Sequence, residues 1–321
     1  MKAAVIHEQG GPDVLRYEDT PDPVRGPGDV VIDVEVISLE GGDLLNRSIL
    51  PVAHFPHVIG YQAAGRVSAV GAKVTRFKVG DRAVCFAFSG SHAEKFCVPE
   101  HHAFAVPDEL DMRIAATMPV TFGTADDALF AAGDLKAGET VLIQGGAGGV
   151  GLAAIQLAKA AGARVFATAR SQHAEAMRAY GCDRPIAYDK EDFAEVIAAE
   201  TGGRGVDLVV DLVGGDAAMV SRLISAVAYR GRLSVVGLSS GEAPSIPFWE
   251  IVPKNMAVLG VLFGAEMHTP RAHAMLERHF ASAGVGKLTM PIAAAFPLAE
   301  AAAAHRFVEE TRPLGRVLLL P

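Results

Sequence analysis

The chain has 321 residues, half of them hydrophobic, with 34 glycines and only 7% aromatics. That is apolar enough to bury a core without disulfide or metal staples, and at roughly 150 residues per domain it suggests about two domains. A net charge of −8 with no basic run argues against a nucleic-acid or anionic-membrane role. Cys85, Cys97 and Cys182 are scattered and odd in number, so they form no disulfide framework and point to a reducing, cytoplasmic setting. Residues 1–8 hold too short an apolar run for a signal peptide.

Residues 30–37 are β-branched and partly alternating, which predicts a strand. Residues 63–70 predict a second, ended by Gly71, and 81–86 a third after the turn at Gly80. Pro21, Pro23, Pro27, Gly28, Pro51, Pro56 and Gly60 punctuate this part at short intervals. The first hundred residues therefore predict a small barrel or twisted sheet rather than βαβ units. After Pro119 the rhythm changes. Strands at 140–143, 164–167, 206–213, 233–238 and 257–263 interleave with helices at 150–161, 173–180, 193–200 and 217–228. That alternation predicts a parallel sheet with right-handed crossovers. A helix at 271–283 and a strand at 316–320 follow, and need not belong to the same domain. The alanine runs at 293–295 and 301–304 are the only low-complexity tracts. Residues 140–158 are uncharged and long enough to suggest a membrane span. Five glycines and two glutamines make a strand, a turn and a helix the better reading.

The turn in that stretch, Gly146-Ala147-Gly148-Gly149-Val150-Gly151, fits G-x-G-x-x-G directly after a predicted strand and at the start of a predicted helix, the context in which the pattern has meaning. Glycine lets the backbone approach a pyrophosphate, and the helix N-terminus offers unpaired N–H groups. The alternative is a plain glycine-rich βα turn. An NAD-preferring site places Asp or Glu about 20 residues on. Here the second strand ends in Ala169-Arg170-Ser171 and no acid appears until Glu175. A guanidinium at that place grips a 2′-phosphate, which points to NADPH. The alternative is a solvated surface arginine.

Several motifs then stand in a telling order: Asp43-Leu44-Leu45-Asn46-Arg47, Gly60-Tyr61-Gln62-Ala63-Ala64-Gly65, Gly80-Asp81-Arg82, Pro119-Val120-Thr121-Phe122-Gly123-Thr124-Ala125, Gly148-Gly149-Val150-Gly151, Val206-Asp207-Leu208-Val209-Val210-Asp211 and Gly214-Gly215. Together they resemble the medium-chain dehydrogenase/reductase superfamily, in its zinc-independent quinone oxidoreductase (zeta-crystallin-like) branch, over nearly the whole chain. The resemblance implies an α/β protein with a GroES-like β-rich catalytic domain, 1–122 completed by 264–321. A Rossmann domain with a doubly wound parallel sheet, 123–263, is inserted between, with the active site in the cleft. It also implies a homodimer formed through the sheet edge at 257–263. Carried over residue by residue, it assigns Gly146, Gly148, Gly149 and Val150 to the pyrophosphate turn and Thr124 to the nicotinamide. Tyr188 falls near the adenosine phosphate, and Leu238 and Phe263 border the nicotinamide end. For Tyr188 and Phe263 simple core packing is the competing reading.

The same resemblance argues against zinc. Zinc-using relatives have cysteine where this chain has Glu40, and histidine and glutamate where it has Tyr61 and Gln62. No ligand cysteine lies near Pro119, and the four-cysteine lobe is missing. No metal is expected. His101 and His102 are adjacent and expected to diverge, while His54, His57 and His305 read as surface or core residues. The branch's asparagine is replaced by Glu40, and residues 44–52 lack the tyrosine found in enoyl-reducing members. Tyr61 and Glu40 are then the proton-donor candidates. Their alternatives are a packed aromatic on the cleft wall and an ion pair, with Arg47 the partner in view. The expected activity is NADPH-dependent, metal-free hydride transfer to a small electron-poor acceptor, a quinone or an α,β-unsaturated carbonyl. A 2-enoyl thioester reductase and a non-catalytic NADPH-binding protein are the alternatives.

Overall fold

The computed structural model describes residues 1–242 and 245–321. Internal contacts divide the chain into two compact units, Met1–Gly123 with Gly264–Pro321, and Thr124–Phe263.

The first unit is built on the ten-residue strand Asp29–Ser38. It pairs antiparallel with Gln62–Val70, Lys95–Pro99 and Arg316–Leu320. Arg82–Phe86 and Ala103–Ala105 extend the sheet on one side and Ile292–Pro297 on the other. A separate three-stranded sheet joins Leu15–Asp19, Lys2–Ile6 and His57–Val58. Ile32, Ile37, Val67, Phe96, Val317 and Leu319 share one apolar cluster. Burying such side chains contributes roughly 1.5–3 kcal/mol each. The alanine run at 301–304 opens the helix Ala301–Thr311, and Ala301 and Ala304 pack into the same cluster. Their small side chains let the helix lie close on the sheet, so this tract is a packing face rather than low-complexity filler.

The second unit is a six-stranded sheet in the order Arg184–Ala187, Arg164–Ala169, Thr140–Gln144, Val206–Asp211, Val227–Val235, Ala257–Gly260. Every neighbouring pair is parallel. The central strands are buried on both faces, which is why they read as continuous apolar runs. Strand order reverses between Thr140–Gln144 and Val206–Asp211. In such sheets the crevice beyond the carboxyl ends at that point is where ligands bind. Residues 140–158 resolve into the strand Thr140–Gln144, a turn, and most of the helix Gly149–Ala160. No helix among the described residues is long and apolar enough to cross a membrane.

Some boundaries depart from expectation. The helix expected at 217–228 is Ala217–Ala226, and β-branched Val227 already starts the strand Val227–Val235. A register shift against Val206 and a positive φ at Arg230 accompany that early start. The strand expected at 206–213 ends at Asp211, whose carboxylate accepts from the N–H groups of Val213 and Gly214, both at 2.9 Å, and turns the chain. The segment at 173–180 is one α-turn, Ser171–Ala174, followed by the 3₁₀ turns Glu175–Tyr180. The edge strand stops at Gly260, and Phe263 belongs to the 3₁₀ turn Phe263–Ala265.

Candidate active site

The glycine turn leaves the carboxyl end of Thr140–Gln144 and enters the helix Gly149–Ala160. Its glycines do different work. A Cβ on Gly151 would overlap the Gly145 carbonyl, and one on Gly146 would come within 2.6 Å of the Met177 sulfur and 2.8 Å of Ala167 Cβ. These two are small so that helix, turn and second strand can close together. Gly148 is exposed, and a Cβ there would meet only the Gly145 oxygen, at 3.5 Å. It caps the helix without any side-chain bond, so the first helical N–H groups, from Gly149 and Val150 onward, are not capped by it. Thr168, which the sequence reading passed over, pins the turn. Its Oγ1 accepts from Gly145 N–H at 3.1 Å and its carbonyl from Gly146 N–H at 2.8 Å. The signal was there, since a hydroxyl at the end of the second strand lies beside the turn of the first.

Arg170 directly follows the strand Arg164–Ala169, and Tyr188 directly follows Arg184–Ala187. Ala169 and Ala187 are in register, so the two side chains meet. Arg170 Nε donates to the Tyr188 hydroxyl at 3.3 Å. Tyr188 is 47% exposed, which removes the core-packing reading. Asp189 accepts from Ser171 N–H and Oγ at 2.8 and 2.7 Å, and the Ser171 bond holds its carboxyl below the usual range. Thr124 and Leu238 are half-buried. Phe263 is 1% exposed, and there core packing is the reading the structure favours.

In the first unit the two proton-donor candidates have unequal freedom. Glu40 is 2% exposed and fully engaged. Oε1 accepts from Ser38 Oγ and Gln62 Nε2, both at 2.7 Å, and pairs with Arg316 at 2.6 Å. Its partner is therefore Arg316 and not Arg47. Arg47 instead bonds His305 Nδ1, Glu309 and the Gly10 carbonyl. The distance in sequence between 40 and 316 hid the true pair. Gln62 Oε1 accepts from Val120 N–H at 3.0 Å, tying the ion pair to the helix Met118–Asp126. Tyr61 is half-buried and packs edge-on to Phe86 and Phe88, with ring centroids 6.1 and 5.9 Å away. Its ring lies over Gly42, where a Cβ would stand 2.6 Å from the hydroxyl. Burial, and then the Asp43 carboxyl, push the Tyr61 hydroxyl up to about 12, so it stays protonated at neutral pH. Asp43 is itself fully buried with Oδ1 unpartnered, and burial raises its carboxyl well above the usual range.

The histidines depart from expectation at one place. The rings of His101 and His102 converge, with centroids 4.7 Å apart, because a 3₁₀ turn, Glu100–His102, brings consecutive side chains closer than a strand would. His305 is a core residue, as one of its two readings held. Arg47 cannot accept, so it fixes His305 Nδ1 as the acceptor. The proton must sit on Nε2, facing His92 Nε2 at 3.3 Å. Among the described residues no group of three or more His, Cys, Asp or Glu side chains is arranged to hold a metal ion.

Residues 26–108 match the family described as the alcohol dehydrogenase GroES-like domain, and residues 149–278 the one described as zinc-binding dehydrogenase. A quinone oxidoreductase of Pseudomonas aeruginosa is 35% identical over 97% of this chain and 97% of its own. The chain belongs to the medium-chain dehydrogenase/reductase superfamily, in its quinone oxidoreductase branch. A 2-haloacrylate reductase from a Burkholderia species is 34% identical, covering 100% of this chain and 99% of its own. The solved Escherichia coli quinone oxidoreductase, described as complexed with NADPH, superposes with a TM-score of 0.94 at 27% identity over the full length of both chains. The superfamily uses NAD or NADP. The residues present fit such a dinucleotide: an exposed glycine edge, a helix N-terminus without a side-chain cap, and a cation at the end of the second strand.

Proposed function

We propose that this chain is a reductase that uses NADPH to reduce a quinone or an α,β-unsaturated carbonyl compound. The observation that carries the cofactor choice is the Arg170–Tyr188 pair, a guanidinium and a phenol at the place where an NAD site would hold a carboxylate. Bound NADPH supplies a hydride from its nicotinamide. The backbone at Gly148, Gly149 and Val150 receives the pyrophosphate, and Arg170 receives the 2′-phosphate. Thr124 and Leu238 stand toward the nicotinamide. Tyr61 and the 48%-exposed Phe88 offer an aromatic face for a flat acceptor. The Tyr61 hydroxyl is the proton donor to an enolate, and Glu40 holds the side chain of Gln62, the residue that follows Tyr61 and opens the strand Gln62–Val70. A quinone needs no such acid, since its reduced form takes protons readily. The named relatives, a quinone oxidoreductase and a 2-haloacrylate reductase, support both acceptor classes.

An NADPH-oxidation screen over quinones, enones and enoyl thioesters tests this reading. It expects turnover of quinones or enones and negligible oxidation of simple primary alcohols with NADP. Preference for thioesters would make the chain a 2-enoyl thioester reductase, and tight NADPH binding without turnover a binding protein. We infer also that two copies pair along the edge strand Ala257–Gly260, near which Phe248 and Trp249 stand 75% and 85% exposed. Sedimentation of the wild type and of Trp249→Asp tests that pairing.

A further inference from the structure

Four histidines and an arginine gather around one cavity of the first unit, and one of the four, His102, packs edge-on to Phe86. The cavity holds about 390 Å³, with Arg76, His101, His268, His273 and Glu277 in its lining. His102 backs it, edge-on to His101, and His268 stands 6.2 Å from His101. His273 is committed. Its Nε2 donates to the His101 carbonyl at 2.8 Å, so Nδ1 is left to accept from Arg76 Nη2 at 3.1 Å. Among the described residues, His101, His102 and His268 enter ring contacts but no side-chain hydrogen bond. His101, His268 and Arg76 are exposed, so their remaining ring nitrogens and N–H groups face solvent and are open to an anionic ligand.

We propose that this cavity binds a phosphoryl anion, either free phosphate or the phosphate of a larger molecule. Arg76 supplies a permanent charge and a planar set of donors suited to phosphate oxygens. Glu277 faces the same space and offsets that charge. Glu100 is taken up by the N–H groups of Thr75 and Arg76, and Glu266 pairs with Arg271 at 3.6 Å. The net positive charge must then come from the histidines, so binding takes up protons and strengthens as pH falls through the imidazole range. Burial and the neighbouring histidines hold His102 down to about 4, and burial lowers His273. The inference stands apart from the proposed reaction, because no residue of the cavity has a role in it.

Calorimetric titration of the NADPH-saturated enzyme with inorganic phosphate and with adenosine 3′,5′-bisphosphate tests the proposal. Saturable binding is expected at about pH 6, weakened roughly tenfold or more at about pH 8. The same loss is expected in Arg76→Met, and independently in the double variant His101→Gln with His268→Gln, while NADPH binding is unchanged. Tighter binding of the bisphosphate assigns the site to a larger phosphorylated molecule, and equal binding assigns it to free phosphate. No saturable binding at about pH 6, or undiminished binding in both variants, overturns the proposal.

Discussion

The guanidinium of Arg170 lies 3.3 Å from the hydroxyl of Tyr188. The two come from the ends of neighbouring parallel strands, and each restricts the other. A hydrogen bond to a charged group contributes roughly 1.5–3 kcal/mol, so Arg170→Ala should weaken NADPH by about 10–100-fold. NADH should be nearly unaffected. Fluorescence titration with both cofactors checks this, and an equal loss of both would show Arg170 to be structural.

Tyr61→Phe separates the two acceptor classes. Loss of a positioned proton donor costs about 10²–10⁴-fold in rate, which should fall on kcat for an enone. A quinone should be reduced within a few-fold of the wild-type rate. Because burial holds the hydroxyl near 12, the wild-type enone rate should show no loss of an acid between about pH 6 and 9. Steady-state rates on one acceptor of each class decide it, and equal effects on both would remove Tyr61 from proton transfer.

The Glu40–Arg316 pair is nearly inaccessible to water, and Glu40 also holds Ser38 and Gln62. Removing one partner leaves an uncompensated buried charge. Arg316→Met should therefore destabilise the protein by about 3–5 kcal/mol. Adding Glu40→Leu should restore much of that loss, since an apolar replacement of a whole buried pair is often neutral. Urea unfolding of the wild type and the two variants provides the measurement. A double variant no more stable than the single one would mean that the carboxylate matters chiefly to Ser38 and Gln62.

His92 and His305 set an acid limit. Burial lowers His92 to about 3, and burial, His92 and Arg47 hold His305 well below its ordinary value. Both are neutral when folded and titrate near 6.5 when unfolded. Their contribution is complete above about pH 6.5 and is lost as pH falls from there toward the folded values. Between about pH 7.5 and 5 the unfolding free energy should drop by about 2 kcal/mol per histidine. In His305→Gln one histidine's share of that drop should vanish. An unfolding free energy that stays level over this range would refute the account.

Elemental analysis of the purified protein should find no stoichiometric zinc. The argument lies in the donors. Glu40 and Gln62 are bonded to each other, and a fixed guanidinium, Arg316, already neutralises the carboxylate. A divalent cation there would have to displace a like charge. Stoichiometric zinc lost together with activity on chelation would reverse this conclusion.

The alternating strands and helices of the second unit were legible because parallel strands buried on both faces are continuous apolar runs with glycine stops. Arg170 and Tyr188 were legible as single residues, and their contact follows once the strands are set in register. The Glu40 pairing was not legible, since a partner 276 positions away is chosen by sheet topology rather than by local pattern. His101 and His102 misled because adjacency implies divergence only in extended chain. The helix Ala301–Thr311 was hidden in its alanines, whose periodicity is weak when polar and apolar faces both carry small side chains.

The strand Arg316–Leu320 lies between Asp29–Ser38 and Ile292–Pro297, with Leu39 N–H donating to Val317 O at 3.0 Å. This placement bears on the order in which a ribosome can make the protein. The unit Thr124–Phe263 has all its strands once residue 263 has emerged. The sheet begun at residue 29 stays open along one side until residues 316–320 arrive. Through that interval Asp29–Ser38 exposes part of a β-branched edge, the kind of surface that pairs with other chains. Aggregation of nascent or truncated chains should therefore begin at this edge and be suppressed by a supplied peptide of residues 312–321.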